Sequence, residues 1–358
     1  MTLSVPAMLM RGGTSKGLYL TQDAVEASGV SPDVLLPALM GSPDRRQING
    51  IGGAQTTTSK VAIIQRSTAP DIDVDFLFAQ VDIESDAVDW TPTCGNVLTG
   101  VGPFAIERGL APVTGEVTEV RVHLVNTGAD VILTVQTPGG VVRYDGDVAI
   151  DGVPGSAAPV GVTFTEFVGG TTGALFPTGS PKDIIDGVEV SCIDSGVCAI
   201  LMRAVDLGIT GSETPGELNA DRELLERIEF LRLQAGKLMG MGDVAGSVVP
   251  KVMLLSASEH AAIRSHYFVP SSCHPAHAVS GAVCLGSALT LPDTIARDIA
   301  PNAPESGDYT LEHPAGVMDI NIAVERQIPV GASVVRTARK LFDGTAFVDL
   351  GPTERRIS

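Results

Sequence analysis

The sequence is poor in aromatic side chains and in positive charge, and each shortage excludes a class of function. Phe, Trp and Tyr make up 4% of the 358 residues, too few for the stacking platforms on which single-stranded nucleic acids bind. Lys and Arg number 24 against 42 Asp and Glu, which gives a formal net charge of -18. Such a charge repels phosphate backbones and anionic membrane surfaces. We therefore expect neither nucleic acid nor membrane as a partner.

Long apolar runs and paired cysteines are also lacking. No stretch approaches the roughly 18 apolar residues of a membrane span. The N-terminal MTLSVPAMLMRGG has no basic segment ahead of its apolar residues, as a secretory signal would. The five cysteines are odd in number and widely spaced, which is typical of free thiols in a reducing compartment. These features predict a soluble, cytoplasmic protein.

Glycine and short β-type segments are abundant instead. The chain has 40 glycines, and its turns separate runs such as TSKVAIIQR, IDVDFLFAQV and EVRVHLVNT that have the β-branched content of strands. LSVPAMLMRGGTSKGLYL predicts a hairpin whose turn is GGTS (12–15). DRELLERIEFLRLQAGKLMG carries Leu224, Ile228 and Leu231 on one side and charge on the other. It predicts an amphipathic surface helix.

Two further segments predict helices that are apolar on nearly all sides. CGNVLTGVGPFAIERGL should form a buried helix that ends at Gly109, and HAVSGAVCLGSALTL should form a second of the same kind. One buried helix in each of two strand-rich regions suggests a duplicated architecture. The loop-rich YDGDVAIDGVPGSAAPVG (144–161) would then carry the chain from one half to the other.

Cys94 stands at the predicted start of the first buried helix. There the unpaired N–H groups and the positive end of the helix dipole favour a thiolate. The N–H groups of Gly95 and Asn96 could also hold a carboxylate or a developing enolate. The alternative is a structural cysteine, since cysteine is among the most buried residue types. The sequence pattern leaves both interpretations open.

Lys60 opens an apolar strand behind a loop rich in glycine and threonine. In a cleft shielded from water, its amine would be a useful general base. The alternative is a lysine at the end of a strand whose stem packs while its ammonium group stays in solvent. Composition alone favours this second interpretation.

The segment MRGGTSKG (10–17) offers backbone N–H groups in a turn, the Ser15 hydroxyl and two cations, Arg11 and Lys16. Its glycine spacing does not match a nucleotide-binding P-loop. We interpret it as a cradle for a carboxylate.

The segment CHPAHAVSGA places Cys273, His274 and His277 close together, a pattern that could be taken for metal ligands. Two histidines at i and i+3 can share a metal, but the sequence has no second cluster to complete a site. We therefore predict no bound metal.

Together the motifs MRGGTSKG, SPDRRQINGIGG, TSKVAI, TCGN and HPAHAVSGAVC resemble those of the methylaconitate isomerase family. Its relatives include the 4-oxalomesaconate tautomerases and isomerases of gallate and lignin-aromatic breakdown. The resemblance implies a diaminopimelate epimerase-like fold of class α/β (α+β). Two pseudo-symmetric domains, each a curved mixed sheet around a central helix, would enclose the active site in the cleft between them. The N-terminal half would comprise residues 1–135 plus 328–358, and the C-terminal half residues 136–327.

The resemblance also implies roles for individual residues. Epimerases of this fold carry one cysteine at each helix start. Here the first is Cys94, but the second position holds Ala278, which disfavours a two-thiol amino-acid epimerase. The isomerases pair the first cysteine with a lysine, which is Lys60 in this sequence. Substrate carboxylates would be bound by Arg11, Ser15, Lys16, Gly95, Asn96, Lys182, Ser280 and Gly281.

The activity implied is that of a cofactor-independent isomerase that moves a proton within an unsaturated di- or tricarboxylate. We expect neutral Lys60 to remove the proton, and Cys94 to donate one or to support the charge. The motifs favour 4-oxalomesaconate, an intermediate of aromatic catabolism, over 2-methylaconitate. His277 either touches the extra keto group or is a core histidine. A non-catalytic carboxylate-binding protein of the same fold is the alternative from another class, and a homodimer is compatible with either.

Overall fold

Two contact-dense units account for residues 2–350, which the computed structural model describes. Unit 1 contains the described residues up to Ala149, then Val153–Val162 and those from Arg336 onward, and unit 2 contains Ile150–Gly152 and Thr163–Val335. The chain thus passes between the units in and just after the loop-rich segment 144–161. Residue 1 and residues 351–358 of the predicted N-terminal half lie outside the described residues.

Most strands of unit 1 form a sheet that closes on itself. The strands of the unit are β1 Thr2–Gly12, β2 Ser15–Thr21, β3 Lys60–Arg66, β4 Val74–Val81, β5 Val88–Asp89, β6 Val117–Leu124, β7 Ala129–Gln136, β8 Val148–Ala149, β9 Ser156–Ala157, β10 Pro159–Phe164 and the later part of β18 Ile328–Asp349. Of these, β8 and β9 form a separate two-stranded sheet. The order is β1-β2-β3-β4-β6-β7-β10-β18, and β18 pairs again with β1. The sheet is mixed, because β2–β3 and β4–β6 are parallel while β1–β2 and β3–β4 are antiparallel.

The helices of unit 1 are α1 Gln22–Ala27, α2 Pro32–Met40, α3 Gly95–Leu98 and α4 Val101–Glu107, with a 3-10 turn at Pro138–Gly140. The prediction of one continuous helix from Cys94 to Gly109 is therefore wrong. Pro103 has no N–H, and its ring would clash with the carbonyl of Thr99 in a continuous helix. The helix therefore breaks between Leu98 and Val101. Its end is as predicted, since Gly109 adopts the left-handed conformation (φ 68°) directly after α4.

The sheet of unit 1 is covered on both faces. Leu18 and Val61 belong to a core shared with α1 and α2. Tyr19 faces the other way, where its hydroxyl donates to the Val97 carbonyl over 2.5 Å. Because side chains alternate along a strand and Leu18 pairs with Val61, Lys60 lies on the face of Tyr19. Lys60 is thus on the side that α3 and α4 cover.

Unit 2 contains the remaining strands and a fully buried helix. Its strands are the first part of β18 together with β11 Asp183–Ile185, β12 Val188–Ser195, β13 Val197–Arg203, β14 Lys251–Ser256, β15 Ile263–Phe268, β16 Gly307–His313 and β17 Gly316–Glu325. Its helices are α5 Pro215–Ala220, α6 Arg222–Leu238, α7 Val279–Thr290 and α8 Ile295–Ile299, with a 3-10 turn at Ala204–Leu207. All twelve residues of α7 are buried, which confirms the prediction for HAVSGAVCLGSALTL. None of the helices within residues 2–350 is long and apolar enough to cross a lipid bilayer.

The predicted amphipathic helix is α6, and its apolar side packs as expected. Leu224, Ile228 and Leu231 are buried in the core of unit 2. The neighbouring Phe230 points outward and is 43% exposed. The helix begins at Asp221, whose side chain accepts a hydrogen bond from the N–H of Leu224. The buried and exposed sides of the helix therefore agree with the amphipathic pattern of the sequence.

We expect Leu231→Ala to lower the free energy of unfolding by about 2–5 kcal/mol, because it leaves a cavity in a closed core. Phe230→Ala, one residue away on the exposed side, should cost less than about 1 kcal/mol despite the larger side chain removed. Urea unfolding followed by circular dichroism measures both. Equal losses for the two variants would contradict the orientation of α6.

Candidate active site

The tip of the hairpin between β1 and β2 lies against the start of α3. The strands pair as far as Gly12 with Ser15, which leaves Gly13 and Thr14 as a two-residue turn and confirms the predicted hairpin. The N–H of Thr14 donates to Oδ1 of Asn96 over 3.3 Å, and Nδ2 of Asn96 donates to the Thr14 hydroxyl over 3.1 Å. This reciprocal pair fixes the turn on the helix start.

Gly13 is required by the same contact. Its φ is +50°, a region that residues with a Cβ rarely adopt. A Cβ placed on it would lie 2.0 Å from Oδ1 of Asn96. Any larger residue would therefore push the turn away from α3.

Lys60 lies one strand away from the hairpin tip. The parallel pairing of β2 with β3 sets it beside Gly17. A Cβ added to Gly17 would lie 2.8 Å from the carbonyl oxygen of Lys60. Its side chain is partly buried. Nζ donates to Oε1 of Gln80 over 2.6 Å and lies 5.0 Å from the centre of the Phe78 ring. The amine therefore contacts Gln80 and Phe78, and it does not extend freely into solvent.

Cys94 is the residue that caps α3. Its backbone is extended, and its partly exposed thiol makes no capping hydrogen bond. The other four cysteines are buried, and burial raises the pKa of Cys192 and of Cys273 to about 12. The structural interpretation therefore suits those four, while Cys94 is the thiol that a ligand can reach.

The N–H groups at the start of α3 lack acceptors within the helix. The first intrahelical bond is donated by Leu98 to the Cys94 carbonyl over 2.8 Å, so those of Gly95 and Asn96 precede the ladder. The helix has four residues, and the dipole expected of a long helix is correspondingly reduced. What remains for an anion is the local set of N–H groups.

Three connections place Lys60 and Cys94 at the same end and on the same face of the unit 1 sheet. The first is the β1–β2 hairpin, whose turn contacts Asn96 of α3 and whose Gly17 on β2 lies beside Lys60. The second is Gln80, which pairs with Lys60 across β3–β4 and with Asp89 across β4–β5, and residues 90–93 lead from there to Cys94. The third is Tyr19. Burial raises its pKa well above the usual value, and the neighbouring Cys94 adds to the effect.

Positive charge at this end of unit 1 is not neutralised. Within residues 2–350, no carboxylate forms an ion pair with Arg11, Lys16 or Lys60, although acids outnumber bases. The backbone N–H of Lys16 donates to the Thr57 carbonyl over 2.9 Å. Its Nζ lies close to Gly53. An anionic ligand would find cations here that no acid occupies.

Arg11 has a structural task besides its charge. One guanidinium nitrogen donates to the carbonyls of Gly13 (2.9 Å) and Thr337 (2.8 Å). Burial, and then the nearby Arg339, lower its pKa. Arg11 therefore holds the hairpin turn in place, and a role in binding substrate stays a prediction. Ser15 is buried at the end of the same turn.

The remaining predicted ligands lie in unit 2. Lys182 pairs with Asp298 over 2.6 Å, and Asp298 also pairs with Arg203, so this ammonium group already has a counter-ion. Ser280 and Gly281 occupy the first turn of α7, which Ala278 caps with extended backbone. This local arrangement repeats that of α3, with Ala278 in the place of Cys94. Binding by these three residues stays a prediction.

His277 is a core histidine, and the structure gives no support to a contact with substrate. It is 1% exposed. Its Nδ1 lies 3.0 Å from the Ala278 carbonyl, and its Nε2 lies 3.1 Å from the Ser265 hydroxyl. A carbonyl only accepts, so Nδ1 donates to Ala278. Within residues 2–350, no group of three His, Cys, Asp or Glu side chains is suited to a metal ion.

Two glutamines near Lys60 were missed by the sequence analysis. Gln80 contacts the amine directly. Gln47, in SPDRRQINGIGG, is buried and ties down the loop before Lys60: it donates to the hydroxyls of Ser59 (2.7 Å) and Ser42 (3.2 Å) and accepts from the N–H of Ala54 (2.9 Å). The alternation in IDVDFLFAQV, which sets Gln80 on the face of Phe78, was the available signal.

The PrpF protein family matches residues 2–349 of the chain. The 4-oxalomesaconate tautomerase of Pseudomonas putida is 47% identical over 96% of each chain. The (4E)-oxalomesaconate Delta-isomerase of Novosphingobium sp. is 45% identical over 96% of this chain and 98% of its own. The 2-methyl-aconitate isomerase of Shewanella oneidensis is 33% identical over 96% of each. These matches confirm the resemblance found in the motifs.

Solved structures agree on the fold. The crystal structure of methylitaconate-delta-isomerase aligns with a TM-score of 0.82 and 32% identity, covering 97% of this chain and 96% of that one. A hydroxyproline epimerase from Agrobacterium vitis aligns with a TM-score of 0.56 and 14% identity over 98% of this chain and 94% of its own, a likeness of fold alone. The predicted class is confirmed as a mixed α/β fold with a barrel-like sheet.

We expect Gly13→Ala to displace the hairpin turn from Asn96 and to lower turnover about tenfold or more, because positioning errors near 1 Å are costly in catalysis. Gly128→Ala is the matched control. Gly128 also has a positive φ (+71°) in a turn between strands, but nothing lies within 4 Å of a Cβ there. Both variants carry the same backbone strain of about 1–2 kcal/mol.

Steady-state rates and thermal melts separate strain from displacement. Similar melting points with a loss of turnover in Gly13→Ala alone are expected. Equal turnover in the two variants would show that the contact with Asn96 is dispensable.

Proposed function

Because the chain belongs to the PrpF protein family and is an isomerase, we propose that it moves a proton within 4-oxalomesaconate. Support for this substrate comes from identity. The relatives named for oxalomesaconate are considerably more similar to the chain than the one named for 2-methylaconitate. Such a substrate is an anion at neutral pH, which agrees with cations that carry no acidic partner. The reaction would belong to aromatic catabolism.

The observation that supports the proposed chemistry is that the Lys60 amine and the Cys94 thiol belong to the same region of unit 1. Both lie at one end of the unit 1 sheet and on one face. A base and a proton donor are the two groups that a proton transfer along a conjugated system needs. No redox step is involved, since the reaction rearranges one proton and one electron pair.

In the first step, Lys60 takes a proton from the carbon next to the activated carbonyl. The C–H electron pair moves into the conjugated system, and negative charge develops on oxygen as a dienolate. The N–H groups of Gly95 and Asn96, with the ammonium group of Lys16, stabilise that charge. Donors already aimed at developing charge supply a large part of enzymatic rate enhancement.

In the second step, a proton returns at another atom. Return to oxygen completes a keto–enol tautomerisation, and return to the far carbon completes an allylic isomerisation. The relatives named tautomerase and Delta-isomerase correspond to these two outcomes. We assign the return to Cys94, because its partly exposed thiol is a second group at this end of the sheet that can donate a proton.

We further propose that each unit corresponds to one epimerase-like half, with a central helix formed by α3–α4 in unit 1 and by α7 in unit 2. Each is capped by a residue with extended backbone, Cys94 in one and Ala278 in the other. A single thiol suits an isomerase better than a racemase that works from both faces of one carbon.

In deuterated water, 4-oxalomesaconate should take up label at carbon much faster than 2-methylaconitate does, and proton NMR measures both. Label at the far carbon indicates allylic isomerisation, and exchange confined to the original carbon indicates tautomerisation. Heat-denatured protein supplies the control for spontaneous exchange. Faster labelling of 2-methylaconitate would refute the proposed substrate.

We expect Lys60→Met to lower turnover by about 100-fold or more, because a positioned general base contributes 10²–10⁴ in rate. Methionine keeps most of the length of the side chain over Phe78. Lys237→Met, at an exposed position on α6, is the control for loss of one positive charge. A folded Lys60→Met protein with more than a tenth of the original turnover would rule out the base.

A further inference from the structure

We infer that Gln80 is the positioning residue for Lys60: a neutral amide, held in one orientation, that fixes the amine without retaining its proton. The inference rests on the proposed role of Lys60 as the base. Gln80 lies opposite Lys60 in the β3–β4 pairing, and its Oε1 is 2.6 Å from Nζ.

The orientation of the amide follows from its other contacts. Nε2 of Gln80 lies 2.8 Å from the carbonyl oxygen of Ser59 and 3.2 Å from that of Thr56. Carbonyl oxygens only accept, so the amide nitrogen must face them and the amide oxygen must face Lys60. A flipped amide would set oxygen against two carbonyls and nitrogen against an amine. Gln80 therefore presents an acceptor to Nζ.

The two carbonyls are themselves anchored. Ser59 is fully buried, and its carbonyl also accepts from the N–H of Val81 over 3.2 Å. Its hydroxyl receives the Gln47 amide described above. The chain Gln47–Ser59–Gln80–Lys60 thus runs from a buried loop to the amine. The SPDRRQINGIGG motif therefore has a structural role: through Gln47 it anchors Ser59, which in turn orients Gln80 beside Lys60.

Phe78 limits the amine from another direction. It lies two residues before Gln80 on the same face of β4, and its ring centre is 5.0 Å from Nζ. Phe78 is buried, so the ring cannot swing away without opening the core. The Lys60 side chain is therefore confined by a ring and by an oriented amide.

The chemistry explains why an amide suits this position better than a carboxylate. An amide oxygen accepts a hydrogen bond from NH₂ and from NH₃⁺ alike, so the amine stays in place throughout the transfer. A carboxylate would hold the nitrogen equally well but would stabilise the charged form and retain the proton. The chain has 42 acidic residues, yet the position opposite Lys60 is neutral. The elements that border Lys60 carry a small set of ionisable groups: Lys16 and Tyr19 on β2, Asp75 on β4, Asp89 on β5, Glu107 on α4 and Cys94 before α3.

Gln80→Glu tests this distinction. The ascending limb of the kcat/KM profile should move to higher pH by about one unit or more, because an opposite charge at hydrogen-bond distance favours the protonated amine. Gln65→Glu is the matched control on the strand of Lys60 itself. Five residues along a strand span about 17 Å, beyond the Debye length of roughly 10 Å, so its limb should stay in place.

Gln80→Met covers the case in which the glutamate variant folds poorly. It removes the acceptor without adding charge, so kcat should fall about 10- to 100-fold with KM changed less than about twofold, and the limb should not rise. Gln65→Met loses a side-chain hydrogen bond to Asp75 (3.0 Å) and should keep its turnover. Thermal melts of all four variants report folding.

A substrate-free readout separates this inference from the proposed function. The pH dependence of Lys60 acetylation by acetic anhydride, read by mass spectrometry, should shift upward in Gln80→Glu and not in Gln65→Glu. An unshifted Gln80→Glu, in both acetylation and kcat/KM, overturns the role of Gln80 while an inactive Lys60→Met leaves the base intact. A shifted acetylation profile with an active Lys60→Met supports the positioning and overturns the base.

Discussion

The reciprocal hydrogen bonds between Thr14 and Asn96 hold the start of α3 against the tip of the β1–β2 hairpin. This contact joins the elements that carry Lys60 and Cys94. The hairpin sets where β2 begins, and the parallel pairing of β2 with β3 then sets the position of Lys60 along the sheet. Cys94 precedes α3 directly. The contact is close because Gly13 has no Cβ, and Arg11 secures the turn from behind. Two short polar side chains thus set the relative position of an amine and a thiol that are far apart in sequence.

Charge is distributed unevenly over this acidic chain. Asp298 neutralises two of the cations of unit 2, Lys182 and Arg203. Arg11, Lys16 and Lys60 have no such partner in the described part of the chain. Opposite Lys60 stands the amide of Gln80, where a carboxylate would have formed one more ion pair. These three cations therefore have no competing acid where an anionic ligand would bind, and the proposed base contacts a neutral acceptor.

The local structure of several segments could be predicted from the sequence. The hairpin turn at 12–15, the amphipathic α6 and the buried α7 all follow from turn residues or from periodicity, which are properties of neighbouring residues. The break between α3 and α4 was readable too, because Pro103 cannot continue a helix that contains Thr99, but the apolar pattern of the segment masked it. His277 was undecided until both of its ring nitrogens were seen to be bonded.

The sequence by itself determined the class of the fold and the family, and it singled out Lys60 and Cys94 as the predicted pair, because motifs and residue types are local information. Only the tertiary structure decided which groups surround them. Gln80 is 20 residues from Lys60 in the chain, and it reaches the amine solely through the register of β3 with β4. Gln47 reaches Ser59 across a folded loop. Strand register and loop closure depend on contacts between distant residues, and no pattern of neighbours encodes them.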